Sequence, residues 1–272
     1  VSLVLLLFKY VDLYNSVMSQ RKSIYELELI VQKLTGTDGC PWDKDQTHES
    51  LKRHFVEECY EFIEAIDLGD SGKLLDETGD ILTQIMFHAD IARRENKFDL
   101  GDVIDYVADK LIRRHPHIFG DVKVSDKQEV ETNWELIKEK ERGSRSAVVG
   151  IPNQTPALAY AQLMQDRVGR EGFDWSQIGG VLAKLSEEIE EFTRAENQIE
   201  KSAEFGDLLF TLVNFARWQD INAEDSLRQA NNRFKKRYIT MERLSREREQ
   251  SFKNLSIVDK QKLWNEAKLL DS

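Results

Sequence analysis

Residues 49–68 read ESLKRHFVEECYEFIEAIDL, and the spacing of their apolar positions decides the fold class. Each residue of an α-helix advances about 100°, so with Leu51 at zero the side chains of Leu51, Phe55, Cys59, Phe62, Ile63 and Ile66 share a stripe from about 0° to 120°. Glu57, Glu61 and Glu64 fall between about 220° and 280°, on the opposite face. Glu58 sits near 340°, at the border of the stripe, where a carboxylate is costly to desolvate unless a cation meets it.

The same period runs through most of the chain. It predicts helices over 21–35, 49–68, 73–96, 101–114 and 126–142, then over 156–171, 179–197, 200–220, 223–247 and 257–269. Only four prolines and fourteen glycines interrupt 272 residues, and strand-like alternation is scarce, so the expected class is all-α. Gly143, Ser144, Ser146, Gly150, Pro152, Asn153 and Pro156 cluster between the two series and mark a linker over 143–156. A helical unit over 25–142 precedes it and another over 157–272 follows, with 1–24 as an N-terminal extension.

Composition narrows the function. With 32% charged and 40% apolar residues the chain has a globular balance, and its net charge of −11 repels phosphodiester backbones, which argues against nucleic acid as a partner. Cys40 and Cys59 have no companions at zinc-ligand spacing and form no disulfide framework, which fits a reducing cytoplasm. The apolar octet Val1–Phe8 ends at Lys9, short of the roughly 18 residues a membrane span needs, and reads as the end of an N-terminal helix.

The two series are related. Glu57-Glu58-Cys59-Tyr60-Glu61 is matched by Glu187-Glu188-Ile189-Glu190-Glu191, and Glu77-Thr78-Gly79-Asp80 by Glu204-Phe205-Gly206-Asp207. Lys110 and Arg114 are matched by Arg233 and Arg237, and Trp134 by Trp264. The offsets are 130, 127, 123 and 130 residues, a drift that changes of loop length explain, so the chain carries an old duplication of one helical unit.

Residues three apart on a helix lie on neighbouring turns, so Glu58 with Glu61, and Glu77 with Asp80 on the next helix, can converge if the two helices pack antiparallel. Four carboxylates without His or Cys describe a hard-cation site for Mg²⁺, with Mn²⁺ as a substitute. A ferritin-like di-iron bundle would need E-x-x-H, which the chain lacks, and His88 is expected to be structural. Gly79 and Gly206 stand mid-helix, where the expected reason is close approach of a neighbouring helix or of the metal cluster. Lys110, Arg114, Arg233 and Arg237 offer the charge a polyphosphate needs, and Trp134 and Trp264 offer rings for a base. No Gly-rich phosphate loop occurs, so phosphate binding would run through metal and side chains.

The run Gly39-Cys40-Pro41-Trp42-Asp43, Gln46-Thr47, the two acidic motifs and Arg113-Arg114-His115-Pro116-His117 together resemble the MazG family of nucleoside triphosphate pyrophosphohydrolases, in tandem form. The resemblance implies an all-α, intertwined homodimer that cleaves a nucleoside triphosphate to monophosphate and pyrophosphate with Mg²⁺, tolerates many bases and cleanses nucleotide pools. It implies Glu58, Glu61, Glu77 and Asp80 as metal ligands in the first unit, and Glu188, Glu191, Glu204 and Asp207 in the second. Lys110, Arg114, Arg233 and Arg237 would hold phosphates, Trp134 and Trp264 would contact the nucleoside, and Glu57 or Glu187 would act as general base or outer partner. Two departures set the second unit apart: Arg233 replaces a frequent Lys, and Gly172-Phe173-Asp174-Trp175 stands in for the fuller C-P-W-D run. A relative restricted to one substrate, such as dUTP or phosphoribosyl-ATP, and a nucleotide-sensing module without turnover are the alternatives.

Overall fold

The computed structural model describes residues 22–143 and 146–271, so the apolar octet and most of the N-terminal extension lie outside the described residues. Among the described residues the regular structure is helical, without strands. The chain divides between Glu141 and Arg142 into two compact units.

The first unit contains α1 (Ile24–Thr35), α2 (Pro41–Lys44), α3 (His48–Leu68), α4 (Ser71–Arg94), α5 (Leu100–Arg114), α6 (Pro116–Phe119) and α7 (Lys127–Arg142). Its centre is the α3/α4 hairpin. Thr47 caps α3 by accepting from the Ser50 N–H, and Gly69 ends it at φ 64°, a left-handed position that suits glycine. Asp70 then caps α4 by accepting from the Gly72 and Lys73 N–H groups, so the reversal takes two residues. Val31, Leu51, Met86, Phe87, Ala89, Ile91 and Leu100 form the core beneath it. Buried Asp90 takes Arg93 at 2.6 Å and Arg94 at 3.0 Å, and Arg94 also donates to the Lys44 carbonyl, tying α2 to α4.

The second unit contains α8 (Ala157–Arg170), α9 (Ile178–Arg194), α10 (Gln198–Trp218), α11 (Ala223–Glu247), a 3₁₀ turn (Phe252–Asn254) and α12 (Ile257–Leu270). The α9/α10 hairpin repeats α3/α4, with Asn197 as the cap that accepts from the Ile199 and Glu200 N–H groups. Met241, Leu244, Leu263 and Ala267 pack between α11 and α12, with Trp264 partly buried against them.

Candidate metal centre

Each hairpin runs antiparallel, and this brings two acidic motifs distant in sequence side by side. Carboxylate oxygens of Glu58, Glu77 and Asp80 lie within 4.8 Å of one another, and so do those of Glu188, Glu191 and Glu204. The fourth carboxylate of each set stands next to its triad. Burial first and then the Glu61 charge push Glu77 above the usual carboxylate value, while Asp207 shares a cavity with Glu188, Glu191 and Glu204. Glu58 is likewise raised, by burial and then by Asp80, Glu61, Glu77 and Glu57. Glu204 is raised by burial and then by Glu191, Asp207 and Glu188. Crowded carboxylates that resist ionisation are what an uncompensated cation site produces.

Lys184 in the second unit was not among the sequence candidates. Its Nζ lies 2.9 Å from Glu188, 2.6 Å from Glu187 and 3.9 Å from Glu191, and hydrogen bonds to Glu187 and then Glu188 raise its pKa well above the usual lysine range. The signal was present as a basic residue four positions before the border carboxylate, where a cation was needed. At the corresponding position the first unit has His54, whose ring lies 3.8 Å from Glu57. Glu57 and Glu187 thus pair with the residue one turn back, outside both triads.

The donor set fits a hard divalent cation. It is all oxygen, and Glu188, only 3% exposed, has a buried Oε2 without a hydrogen-bond partner. His88 stays out of the centre, stacking on His48 with ring centroids 5.1 Å apart. The glycine expectation needs correction where it invoked a neighbouring helix: a Cβ at Gly79 or Gly206 would meet nothing within 4 Å. Both glycines leave open space beside the carboxylates.

The basic and aromatic candidates are organised differently from the expectation. Arg114 lies over the Trp134 ring at 5.6 Å and, with Arg113, pairs with Glu141, whose carboxyl these two arginines hold down at about 2. His115 packs edge-on against Trp134 at 4.8 Å. In the second unit Arg237 lies over Trp264 at 5.8 Å and bonds Asp271 at 3.2 Å, and Lys236 pairs with the same carboxylate. Glu141 and Asp271 each follow their tryptophan by seven positions, so the duplication includes an Arg–Trp–carboxylate set that sequence reading missed. Lys110 lies over Tyr106, at 5.4 Å, and Arg233 is exposed.

Beside the second centre opens a cavity of about 700 Å³. Lys184, Glu188, Glu191, Glu204 and Asp207 line one part, and Gln165, Phe173, Trp175, Thr211, Asn214 and Arg217 are among the residues lining the rest. Arg233, Arg237 and Trp264 are not part of its wall. Asp174, in its wall, accepts from Arg217 at 2.7 Å and from the Trp218 indole N–H at 3.2 Å.

The pattern that defines the MazG nucleotide pyrophosphohydrolase domain matches residues 46–119, which span the first carboxylate centre. The nucleoside triphosphate pyrophosphohydrolase/pyrophosphatase MazG of Thermotoga maritima is 43% identical over 246 residues, 89% of this chain and 94% of its own length. The nucleoside triphosphate pyrophosphohydrolase of Escherichia coli K12 is 38% identical over 254 residues, 90% of this chain and 97% of its own. The uncharacterized protein YabN of Bacillus subtilis is 43% identical to this chain across half of YabN's length. No helix among the described residues is long and apolar enough to cross a membrane.

Proposed function

The chain belongs to the MazG family, and from that premise we propose that it hydrolyses nucleoside triphosphates to monophosphate and pyrophosphate in a Mg²⁺-dependent reaction of broad base tolerance. The observation that carries this reading is the duplicated meeting of two acidic motifs, each pair converging within 4.8 Å on one antiparallel hairpin. Names of relatives that cover nearly the whole chain support the activity.

Glu58, Glu61, Glu77 and Asp80 would hold the cation in the first unit, and Glu188, Glu191, Glu204 and Asp207 in the second; Mn²⁺ would substitute. When bound, the metal supplies neutralisation of the triphosphate and activation of water for attack at the α-phosphorus. Glu57 and Glu187 lie next to the ligands and pair with a basic neighbour one turn back, which suits an outer, orienting partner, with general base as the other role open to them. The cavity beside the carboxylates of the second unit gives the nucleoside a place to sit.

Lys110, Arg114, Arg233 and Arg237 remain our phosphate-binding residues, and Trp134 and Trp264 our nucleoside contacts. Arg233, Arg237 and Trp264 are not in the cavity wall of the second unit, and we propose that a second copy of the chain, in an intertwined homodimer, brings them to it. Exposed apolar side chains at duplicated positions, Ile85 on α4 and Leu212 on α10, offer a surface for such pairing. We propose that this chemistry serves the cleansing of cytoplasmic nucleotide pools.

The test is to incubate the full chain with Mg²⁺ and each common and deaminated nucleoside triphosphate and to resolve the products. Monophosphate with pyrophosphate is expected. Diphosphate with orthophosphate would overturn the proposed bond, and nucleotide binding without turnover would favour a sensing module.

A further inference from the structure

One buried side chain in the cavity of the second unit is unfinished. Gln165 on α8 is 5% exposed, and its Nε2 donates to the Phe210 carbonyl at 2.8 Å. That bond fixes which end of the amide is oxygen. Gln165 lines the cavity, and its Oε1 is buried with no hydrogen-bond partner among the described residues. Buried acceptors are almost always paired, so an orphan one in a cavity wall marks where a ligand donor belongs.

Its position relative to the carboxylates defines which part of a ligand arrives there. Along α10 the cavity residues follow the order Glu204, Asp207, Thr211, Asn214, Arg217. A helix rises 1.5 Å per residue, so Thr211 lies about 6 Å and Asn214 about 10 Å beyond Asp207. Gln165 is anchored to the backbone of this middle stretch. A nucleotide whose phosphates meet the carboxylates would place its sugar and base over the same interval. Asn214 Oδ1 already accepts from Arg217 at 3.1 and 2.8 Å, so its amide NH₂ is the end left to donate. Phe173 and Trp175 add aromatic surface to the cavity wall.

We infer that Gln165 is a specificity-determining residue of the second unit: its Oε1 accepts a hydrogen bond from an N–H or O–H donor of the nucleoside portion of the substrate. The inference rests on the carboxylates being the site of the triphosphate. The aligned residue of the first unit, Gln32, spends its amide on Glu28 at 3.2 Å, and Phe87 stands where α10 has Asn214.

Gln165→Leu removes the acceptor while filling the same space. In the full chain with Mg²⁺, kcat/KM for nucleoside triphosphates should fall by about tenfold or more, carried mainly by KM, the loss expected for one buried hydrogen bond. Inhibition by inorganic tripolyphosphate, which has no nucleoside, should stay within about twofold. The donor's source is read in wild type: 2′,3′-dideoxy substrates reproduce the loss if it is a sugar hydroxyl, and base-N-methylated substrates reproduce it if it is a base N–H. Equal losses for nucleotide and tripolyphosphate would show a merely structural role, and unchanged nucleotide kinetics would overturn the assignment outright. Neither analogue reproducing the loss would overturn it as well. Binding of a non-hydrolysable α,β-methylene nucleotide to both proteins separates this outcome from failure of the proposed reaction, because the affinity difference persists without turnover.

Discussion

Replacing Lys184 by Met should tighten divalent-cation binding at the second centre. The Lys184 Nζ lies 2.9 Å from Glu188 and 3.9 Å from Glu191. A cation about 2.1 Å from those carboxylate oxygens would therefore stand roughly 4–5 Å from a unit positive charge. At the dielectric of water a unit and a divalent charge at that distance repel by about 2 kcal/mol, and physiological salt cuts this to about 1 kcal/mol. Removing the ammonium should lower the Mn²⁺ or Mg²⁺ dissociation constant by about five- to thirtyfold. The assay is a Mn²⁺ titration followed by electron paramagnetic resonance, in a background where Glu58→Gln and Glu77→Gln silence the first centre. The metal-free variant should also melt earlier than its parent, because buried Glu188 loses its cationic partner. His54→Lys should do the reverse in the first unit and weaken binding there. Weaker or unchanged affinity in Lys184→Met would refute the view that this lysine occupies charge space a metal needs.

Glu61→Gln with Glu191→Gln should reduce turnover by at least about a hundredfold while leaving the far-ultraviolet circular dichroism helical; retained activity would remove both residues from the metal set. Burial and neighbouring carboxylates raise the folded-state pKa of Glu58, Glu77 and Glu204 above the ordinary 4.5, so their contribution to metal-free stability is complete below that value and is lost as pH rises through the raised values. Metal-free protein should accordingly gain melting temperature from these groups as the pH is lowered from neutral towards 4.5, while the increment from added Mg²⁺ shrinks; a Mg²⁺ increment that grows on acidification would contradict this. Asp271→Asn should free Lys236 and Arg237 for phosphate and lower KM by a few-fold at unchanged kcat, whereas a raised KM would mean that Asp271 positions Arg237 productively.

The long helices were legible because a 3.6-residue period repeated over several turns leaves little choice; the hairpin predicted over 49–68 and 73–96 spans His48–Leu68 and Ser71–Arg94. Pro41–Lys44 and Pro116–Phe119 escaped, since four residues are too few to show a period. The acidic motifs were legible for a different reason. Carboxylates at i and i+3 on consecutive antiparallel helices can converge on one ion, and their repetition made chance implausible. Gly79 and Gly206 misled because a glycine in a helix is ambiguous in sequence: crowding and open space favour it alike, and only the empty shell around each Cβ position decides. Glu141 and Asp271 were invisible because they act through arginines far away in the chain.

Comparison of the two units shows where the duplicated site was free to change. Both retain their carboxylate quartets, since losing one oxygen donor weakens the same ion that every other ligand holds. The positions around them differ in kind. His54 is the counterpart of Lys184, Phe87 that of Asn214, and buried Asp90 with its two arginines that of Arg217, which reaches instead to Asp174. The last pair exchanges the sign of the charge on the second helix yet still fastens that helix to the loop or short helix ahead of the hairpin, as Arg94 does by holding the Lys44 carbonyl. Fastening needs only a complementary pair, so its polarity could drift. The Phe87-to-Asn214 difference has another consequence, because it replaces core packing by an amide in a cavity wall. A buried amide is tolerated only where something accepts or donates to it. Under the proposal made for Gln165, an amide that lines the same cavity adds a second polar group with which the second unit would tell nucleosides apart, where the first unit has the core residue Phe87.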